Sequence, residues 1–546
     1  MTGQVLRARL VRCLIVLVGC LWLSQAIALS AERTVATPDE AVVSGREFER
    51  QRAWRDAIDS YETSLKQWPE NSDLVYGLRR SKFQFSIDRR YADESFRTGM
   101  LKQSQSQALD LLDNVLGNVQ ARFVESIDTK SIIAHGTESL WLALANPKFL
   151  EQNLVAVDAA QIQQLRTLLR NNYWNKPLSG RNEARHVVGE VCEASQRLAG
   201  LPASAVVMEY VFGACNCLDD YSSVLTPARY ADMYSNIDGQ FVGIGIVIEA
   251  RLGKGMELVD VLPDSPALES GLLAGEIVVA VDGVDCRFLS TEEAAGLLTG
   301  AAGSRVQLEV TDDHGEAHTV TCSRREVHVK SIPVAKMVDA GCGVGYLRMA
   351  AFQKRTADEL DEALRTLQQQ GMRSLIWDLR GNPGGLLDEA VSVADRFIDD
   401  GTIVSTRGRL PEDNDVYSAF GPGTWKMPLV LLIDGESASA SEIVAGCIKD
   451  HHRGTIVGRT SYGKWSVQTI THLTGGLGMR LTTARFYSPD GHTYSKIGLD
   501  PDVPVTLPDD QPPTRRRLSA TNLDPQTDPD LKAALDILCR QSYTSR

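Results

Sequence analysis

The feature that most constrains the fold is an alternation of apolar and amphipathic segments from residue 342 onward. The segments "SLIWDLRG" and "PLVLLID" are short, continuous apolar runs, which are typical of strands buried on both faces of a sheet. Between them, Leu360, Leu364 and Leu367 recur at helical spacing, and "ASEIVAGCIKDHH" is a further helical segment. Strands that alternate with helices in this way predict a layered α/β core.

Residues 238–330 have a different pattern and precede that core. Short strand-like segments, among them "GQFVGIGIVIEA", "EIVVAVDGVDC" and "SRVQLEVTDD", are separated by turn-rich or short helical stretches. In "STEEAAGLLTG", Ala294, Leu297 and Leu298 share one helical face. Several short strands and two helices over this length predict a small separate domain.

The first 28 residues have the features of a secretion signal. Three arginines precede an apolar run at 13–28, which ends in an Ala-Ile-Ala sequence that fits a signal-peptidase site. The run is shorter than the roughly 20 apolar residues that span a bilayer comfortably. We therefore predict a cleaved signal peptide over 1–28, with an uncleaved anchor or lipidation at Cys20 as the alternatives.

Residues 29–237 are predicted to be mainly helical. Trp54, Tyr61 and Leu65 recur at helical spacing before a break at Pro69. This pattern at 40–80 is similar to one tetratricopeptide-type helical hairpin. An ordinary helical cap is the alternative, because such repeats usually occur in arrays.

Composition excludes some functions and favours others. A chain of 546 residues is long enough for several domains. Its formal net charge of -13 argues against nucleic-acid binding, which depends on Lys and Arg at the phosphates. Of ten cysteines, Cys215 and Cys217 form a CxC without a second pair at zinc-finger spacing. Buried or disulfide-bonded cysteines are expected in an exported protein, and no metal ion or cofactor is predicted.

Three serines spaced two apart, Ser437, Ser439 and Ser441, lie between an apolar strand and a helix. Alanines flank Ser439 and leave its hydroxyl uncovered. The backbone N–H groups at a helix start favour a developing negative charge. The other two serines fit helix capping better, since serine is a preferred N-cap. Ser439 is therefore the candidate nucleophile.

Lys464, in the turn "SYGK", is the candidate base. Its pKa of about 10.4 in water must be lowered by burial before the amine accepts protons near neutral pH. Gln468 follows four residues later in an apparent strand, on the face where it can hydrogen-bond the neutral amine. On sequence alone, a lysine beside a strand is more often a surface residue. His451 and His452 suggest a Ser–His arrangement, but they lie at a predicted helix end, where cationic side chains are favourable, and that interpretation is preferred.

These segments are similar to those of the C-terminal (tail-specific) processing proteases, serine proteases with a Ser–Lys dyad. In "SASASEIVAG" and "GKWSVQT", Lys464 lies 25 positions after Ser439. The resemblance continues in "DLRGNPGG", "GYLRMAAF", "DDYSSVLTPARY" and "RFYSPDGHTYSKIGLDPDVPV". It covers roughly residues 215–505 and is specific, because the motifs are long and correctly ordered.

The resemblance implies a set of site residues. They are Ser439 as nucleophile, Lys464 as general base, Gln468 as the residue that orients it, and the N–H groups of Ala440 and Gly385 as the oxyanion hole. Gly384 is the near alternative to Gly385. Trp465 departs from the family pattern, which usually has glycine after the lysine, and its indole can either enclose the amine or crowd the substrate.

Residues 238–330 resemble a PDZ domain in the circularly permuted form found in bacterial proteases. The likeness depends on "FVGIGI", "SPALESGLLAGEIVVAVDGV" and the helix that begins at Thr291. In such domains a glycine-rich turn offers N–H groups to a peptide's terminal carboxylate, and a strand edge and a helix form the groove. The peptide-binding residues that it implies are Phe241, Val242, Gly243, Ile244, Gly245 and Ile246.

The predicted fold class is multidomain α+β. A helical N-terminal region is followed by the PDZ domain and by an α/β serine protease core of the crotonase or ClpP-like type. The core is predicted at 331–507, with elements from about 215–237, and a C-terminal tail at 508–546 carries a short helix.

The predicted function is an exported serine endopeptidase, periplasmic or in the cell envelope, that binds substrate C-terminal tails. Its expected partners are proteins or peptides with free C-termini, a potential adaptor protein, and the membrane only through the N-terminal segment. A rival from another class is a catalytically inactive PDZ adaptor. A crotonase-like acyl-transfer enzyme is a third reading, which no coenzyme-binding signature supports.

Overall fold

The computed structural model describes most of the chain. The described residues are 37–154, 158–251, 253–289, 291–312, 315–421, 423–507 and 523–544. The predicted signal peptide and its alternatives lie outside these ranges, as does the first part of the predicted C-terminal tail.

The chain divides into two compact units, Met1–Arg89 and Arg90–Arg546. Helices α1 (Pro38–Arg50), α2 (Trp54–Gln67) and α3 (Ser72–Ala92) begin in the first unit. Tyr61 of α2 is fully buried there, and a Cβ on Gly45 or Gly77 would lie 2.3 or 2.5 Å from its ring Cζ. Both glycines therefore leave the space that this ring fills. The tetratricopeptide assignment stays a prediction.

Helices dominate the start of the second unit, as the sequence predicts. They are α4 (Glu94–Thr98), α5 (Gln105–Arg122), α6 (Thr129–Ala143), α7 (Pro147–Asn153), α8 (Ala159–Leu168), α9 (Arg181–Ala199) and α10 (Ala203–Cys215), followed by strand β1 (Ser223–Leu225) and α11 (Pro227–Asp238). Every residue of α10 after Ala203 is buried, including Glu209. The carboxylate of Glu209 accepts two hydrogen bonds from Arg90, at 2.8 and 2.7 Å, and one from Ser139 at 2.7 Å. These bonds compensate the burial of its charge.

A small antiparallel sheet with two short helices follows. Its elements are β2 (Gln240–Gly243), β3 (Ile246–Arg251), β4 (Gly255–Val261), α12 (Pro266–Glu269), β5 (Ile277–Val281), β6 (Val284–Asp285), α13 (Thr291–Leu298), β7 (Arg305–Thr311), β8 (Ala317–Ser323) and β9 (Arg325–His328). The strand order is β3-β4-β5-β7-β8, and β6 pairs with β5. Strands β2 and β9 form a separate two-stranded ribbon at the two ends of this segment.

Two further sheets build the core. The strands are β10 (Val334–Asp339), β11 (Val344–Arg348), β12 (Ser374–Asp378), β13 (Thr402–Gly408), β14 (Val416–Ser418), β15 (Leu429–Ile433), β16 (Thr455–Gly458), β17 (Ser466–His472), β18 (Gly478–Tyr487) and β19 (Val503–Pro504). The central sheet has the order β10-β11-β12-β15-β16-β19 and is parallel from β11 onward. The second sheet has the order β1-β18-β13-β14, with β17 paired to β18. Strand β1, which precedes the small antiparallel sheet in sequence, therefore contributes to the second sheet of the core.

Helices cover both faces of the central sheet. Helices α14 (Thr356–Gln369), α15 (Leu387–Asp395) and α16 (Ala440–Asp450) share one buried apolar cluster with it. Helix α17 (Pro529–Thr544) packs on the other face through Leu531, Ala534 and Leu538. A disulfide between Cys342 and Cys539 joins the β10–β11 turn to α17. The predicted multidomain α+β class, with its α/β core, is confirmed.

In the part of the chain that the structure describes, no helix combines the length and the apolar character that crossing a bilayer demands.

Candidate active site

Ser439 lies in a tight turn between β15 and α16. Its backbone has φ +56° and ψ -114°, a conformation that non-glycine residues rarely adopt and that is often found where a functional side chain must be presented. The neighbouring hydroxyls have structural partners. Ser437 Oγ donates to the Leu379 carbonyl at 2.8 Å, and Ser441 Oγ donates to the Asn382 carbonyl at 2.9 Å. Both of these serines are fully buried, whereas Ser439 keeps 8% of its surface.

The glycine turn after β12 lies directly against Ser439. A Cβ on Gly384 would be 2.8 Å from Ser439 Cβ and 2.8 Å from the Ala440 nitrogen, so only glycine fits there. Asn382 joins this turn to the serine turn. Its Oδ1 accepts the Gly384 N–H at 2.9 Å, and its carbonyl accepts the Ala438 N–H at 3.0 Å.

The backbone N–H groups near the serine turn differ in whether they already have an acceptor. Among the described residues, the N–H groups of Ala440 and Gly385 donate to no other backbone oxygen, whereas the Gly384 N–H already donates to Asn382. A Cβ on Gly385 would lie 2.0 Å from the Phe352 carbonyl oxygen, so this position also requires glycine. Of the two glycines, Gly384 therefore has its N–H already bonded and Gly385 does not, and the oxyanion hole stays a prediction.

Glu442, which the sequence analysis did not select, holds the serine turn and the lysine turn together. Its Oε2 accepts the N–H of Ser439 at 2.8 Å and the N–H of Lys464 at 2.8 Å. Its Oε1 accepts the Gly463 N–H at 2.7 Å and the Ser461 hydroxyl. Burial raises the pKa of Glu442, and these hydrogen bonds oppose the shift. The signal in the sequence was a glutamate three residues after a serine, the spacing of a capping box.

The side chain of Lys464 is part-buried and partly enclosed by an aromatic ring. Its Nζ lies 5.2 Å from the ring centroid of Tyr221. Burial, and then the positive charge of Arg480, lower the pKa of Lys464. Arg480 Nε donates to the Tyr221 carbonyl at 2.9 Å, which keeps this second cation nearby. In the part of the chain that the structure describes, Lys464 Nζ makes no hydrogen bond, and so none to Ser439.

Among the described residues, the Gln468 amide makes its hydrogen bonds with groups other than Lys464. The amide donates to Ser466 Oγ at 2.8 Å and to the Ser466 carbonyl at 3.0 Å. Lys464 precedes β17, and a bulge between Val467 and Gln468 interrupts the alternation of that strand. Because the argument from strand alternation needed both residues in one regular strand, it fails here. The orienting role of Gln468 stays a prediction.

Trp465 and the two histidines are occupied elsewhere. Trp465 is buried in the core, where its ring centroid lies 4.9 Å from that of Tyr494, so the indole is a packing residue. His451 Nε2 lies 2.7 Å from the Thr402 carbonyl at the far end of α16. Eleven helical residues separate the two ends, which is roughly 16 Å. His451 and His452 therefore lie too far from Ser439 to act as its base.

Comparison with known proteins identifies the family. The profile of peptidase family S41 matches residues 343–505, and that of the PDZ domain matches 257–312. A carboxy-terminal-processing protease of Bartonella bacilliformis is 37% identical over 297 residues, which cover 53% of this chain and 67% of that protein. A carboxyl-terminal-processing protease of Picosynechococcus sp. is 33% identical, with 68% of this chain and 83% of that protein covered. The chain belongs to the carboxyl-terminal-processing proteases.

Among solved structures, a photosystem II D1 C-terminal processing protease is 26% identical and has a TM-score of 0.40. That match covers 73% of this chain and 93% of the other. The membership of this family makes the chain a serine-type peptidase with a PDZ domain, as predicted.

In the PDZ domain of this carboxyl-terminal-processing protease, an edge strand and a helix lie side by side. Strand β3 is an edge of its sheet, and α13 lies beside it. Gly245 has φ +81°, and a Cβ there would lie 2.3 Å from Ser265 Cβ. The predicted peptide-binding residues divide into two groups. Phe241, Val242 and Gly243 pair with β9, whereas Ile244, Gly245 and Ile246 lead into the free edge of β3.

One cluster of this protease has the spacing of a metal site. It consists of Asp339, Cys342 and Cys539 among the described residues. The two sulfur atoms are joined in the disulfide, so neither is available as a thiolate ligand.

Proposed function

We propose that this enzyme cleaves proteins near their C-termini with Ser439 as nucleophile and Lys464 as general base. The observation that carries the proposal is the shared acceptor Glu442 Oε2, which binds the N–H groups of both residues at 2.8 Å. This carboxylate fixes the two backbones side by side. Rotation about the side-chain bonds of Lys464 then brings the Nζ to the serine hydroxyl.

The reaction follows the usual order of acyl transfer. Neutral Lys464 accepts the proton of Ser439 Oγ while that oxygen attacks the scissile carbonyl carbon. The N–H groups of Ala440 and Gly385 stabilise the oxyanion of the tetrahedral intermediate. Protonated Lys464 then gives its proton to the leaving amine, and water hydrolyses the acyl-enzyme by the same route. We propose that Gln468 orients the amine once Lys464 has turned toward the site.

Replacing Ser439 with alanine tests the nucleophile. We expect Ser439→Ala to keep the fold and to lose cleavage of a peptide with an apolar, free C-terminus. Ser441→Ala is the matched control, because its hydroxyl bonds the Asn382 carbonyl, and it should keep measurable activity. Near wild-type cleavage by Ser439→Ala would show that the assignment is wrong. A wild-type protein that binds such peptides but neither cleaves them nor reacts with a phosphonate would favour the inactive adaptor.

We further propose that substrate tails add to the free edge of β3, with their terminal carboxylate at the turn Gly243–Ile246. A carboxylate that accepts backbone N–H groups loses these bonds when it is amidated. Peptides with a free C-terminus should therefore bind the full-length Ser439→Ala protein more tightly than their amides. Equal dissociation constants for the two forms would contradict this site.

Export is the last part of the proposal. We infer that residues 1–28 direct secretion and are removed, so that the enzyme acts outside the cytoplasm on exported proteins. N-terminal sequencing of the protein from its natural host checks this. A start near residue 29 is expected, whereas an intact N-terminus would indicate an anchor and a lipid-modified Cys20 would indicate a lipoprotein.

A further inference from the structure

The last described segment of the chain brings two carboxylates to the end of the central sheet. Asp528 precedes α17, and Asp530 lies in its first turn and is 1% exposed. Arg380 Nη1 donates to Asp528 at 2.9 Å and to Asp530 at 2.7 Å. Arg380 is itself buried, so its charge depends on such partners. The match to peptidase family S41 ends at residue 505, so both carboxylates lie beyond it.

Arg380 is the residue through which this segment reaches the glycine turn. It follows β12 directly, and Asp378 binds its other side at 2.9 Å to Nε and 2.6 Å to Nη2. Two residues later, Asn382 holds both Gly384 and Ala438. The position of the glycine turn relative to Ser439 therefore depends on the position of the Arg380 side chain.

Asp530 also binds a second arginine on the other side of the serine. Arg459 follows β16, and its two terminal nitrogens donate to Asp530 at 2.8 and 2.9 Å. Its N–H donates to the carbonyl of Ile433, the last residue of β15. One carboxylate thus connects the ends of β12 and β16, the two strands that flank the strand leading to Ser439. The chain after Arg459 continues directly into the turn that carries Lys464.

We propose that the C-terminal segment 523–544 supports the active site through Asp528 and Asp530, which act as positioning residues. They fix Arg380 and Arg459, and these two arginines in turn fix the glycine turn and the turn that carries Lys464. The inference rests on the proposed function. Neither carboxylate touches the reacting atoms. Their effect on the reaction is to keep the two turns at the spacing that the nucleophile needs, in addition to any contribution to stability.

Two isosteric substitutions test the inference in the full-length protein. Asp530→Asn and Asp528→Asn remove the charge and keep the shape. Asparagine at 528 still accepts the Leu531 N–H that Asp528 Oδ1 accepts at 3.2 Å, so α17 keeps its cap. Asp536→Asn is the matched control, because Asp536 is exposed on the same helix. Thermal unfolding is measured for each variant, and kinetics are measured well below its melting temperature.

We expect kcat to fall on the order of 10²-fold in Asp530→Asn and by a smaller factor in Asp528→Asn, while KM stays unchanged. The reason is that misplaced turns weaken binding of the transition state but not binding of the substrate's C-terminal tail. Asp528→Glu should restore most of kcat. Asp536→Asn should match the wild type. Because kinetics are measured well below each melting temperature, where the variants are folded, a lower kcat reports positioning rather than a loss of folded protein.

Three results would overturn the inference. They are a wild-type kcat in folded Asp530→Asn and Asp528→Asn, an equal loss in Asp536→Asn, and failure of both test variants to fold, which would make the contacts structural only. If Asp530→Asn alone fails to fold, Asp528→Asn decides. A wild-type protein that does not cleave peptides would instead refute the proposed function, which is a different result.

Discussion

Replacing Glu442 with glutamine tests whether one buried carboxylate holds the serine and lysine turns together. Each oxygen of Glu442 accepts two hydrogen bonds, and Oε2 accepts from both Ser439 and Lys464. An amide has one acceptor oxygen and an NH2 group that only donates. The best orientation keeps the oxygen at the Oε2 position. The NH2 group then faces the Ser461 hydroxyl, which can accept, and the Gly463 N–H, which loses its acceptor.

The expected magnitude follows from this count. One buried N–H without an acceptor costs about 1–3 kcal/mol, and the two bonds that remain lose the strength that a charged acceptor gives, about 1 kcal/mol each. Burial raises the pKa of Glu442, so removing its charge returns part of the desolvation cost. We therefore expect a net loss of about 2–3 kcal/mol in the free energy of unfolding. A shift of the lysine turn should lower kcat on the order of 10²-fold.

Urea unfolding and peptide cleavage measure the two effects separately. Glu359→Gln is the control, since Glu359 on α14 also accepts a backbone N–H, that of Ile332 at 3.0 Å, but away from the site. It should lose some stability and keep kcat. Wild-type kcat in Glu442→Gln would refute the reasoning that this carboxylate positions the two turns.

Further predictions concern the lysine, its neighbour and the disulfide. Lys464→Met should be inactive, yet urea unfolding should show it to be more stable than the wild type, because burial lowers the pKa of Lys464 in the folded state. The gain in the free energy of unfolding should be largest below this folded-state pKa and should disappear as pH rises toward the pKa of Lys464 in the unfolded chain. Equal stability at neutral pH would contradict this. Arg480→Gln removes the second cause of that shift and should move the rise of activity with pH to higher pH; an unmoved profile would exclude Arg480 as a cause. Reduction of the disulfide between Cys342 and Cys539, which are 197 residues apart, should lower the free energy of unfolding by up to about 5 kcal/mol. In the control variant Cys539→Ser, the reductant should leave the free energy of unfolding unchanged.

The sequence was sufficient to predict the fold, and it selects Ser439 among the three serines, because both depend on local patterns. Apolar runs such as 429–433 become buried strands wherever helices cover both faces of the sheet. Ser439 was separable from Ser437 and Ser441 because small neighbours and the strand-to-helix position are visible in the sequence. In the structure the flanking hydroxyls bond to backbone carbonyls, although not as the helix caps that were expected.

The remaining features depend on contacts between distant segments. A bulge between Val467 and Gln468 interrupts β17, and no periodicity within that strand indicates it. Trp465 packs into the core because space beside α16 is available there, which only the assembled layers determine. In the sequence, Asp528 and Asp530 belong to the predicted C-terminal tail, and only the folded chain shows that both bind Arg380. Long-range pairing of this kind is absent from a single sequence.

The rate at which a peptidyl phosphonate labels the wild-type enzyme, followed by mass spectrometry across pH, tests the central claim most directly. The account predicts a single adduct on Ser439, formed at a rate that rises with pH through the lowered pKa of Lys464. Lys464→Arg should not be labelled, because a guanidinium stays protonated. An adduct on Ser437 or Ser441, or labelling of Lys464→Arg at the wild-type rate, would contradict the assignment of Ser439 and Lys464 as nucleophile and base.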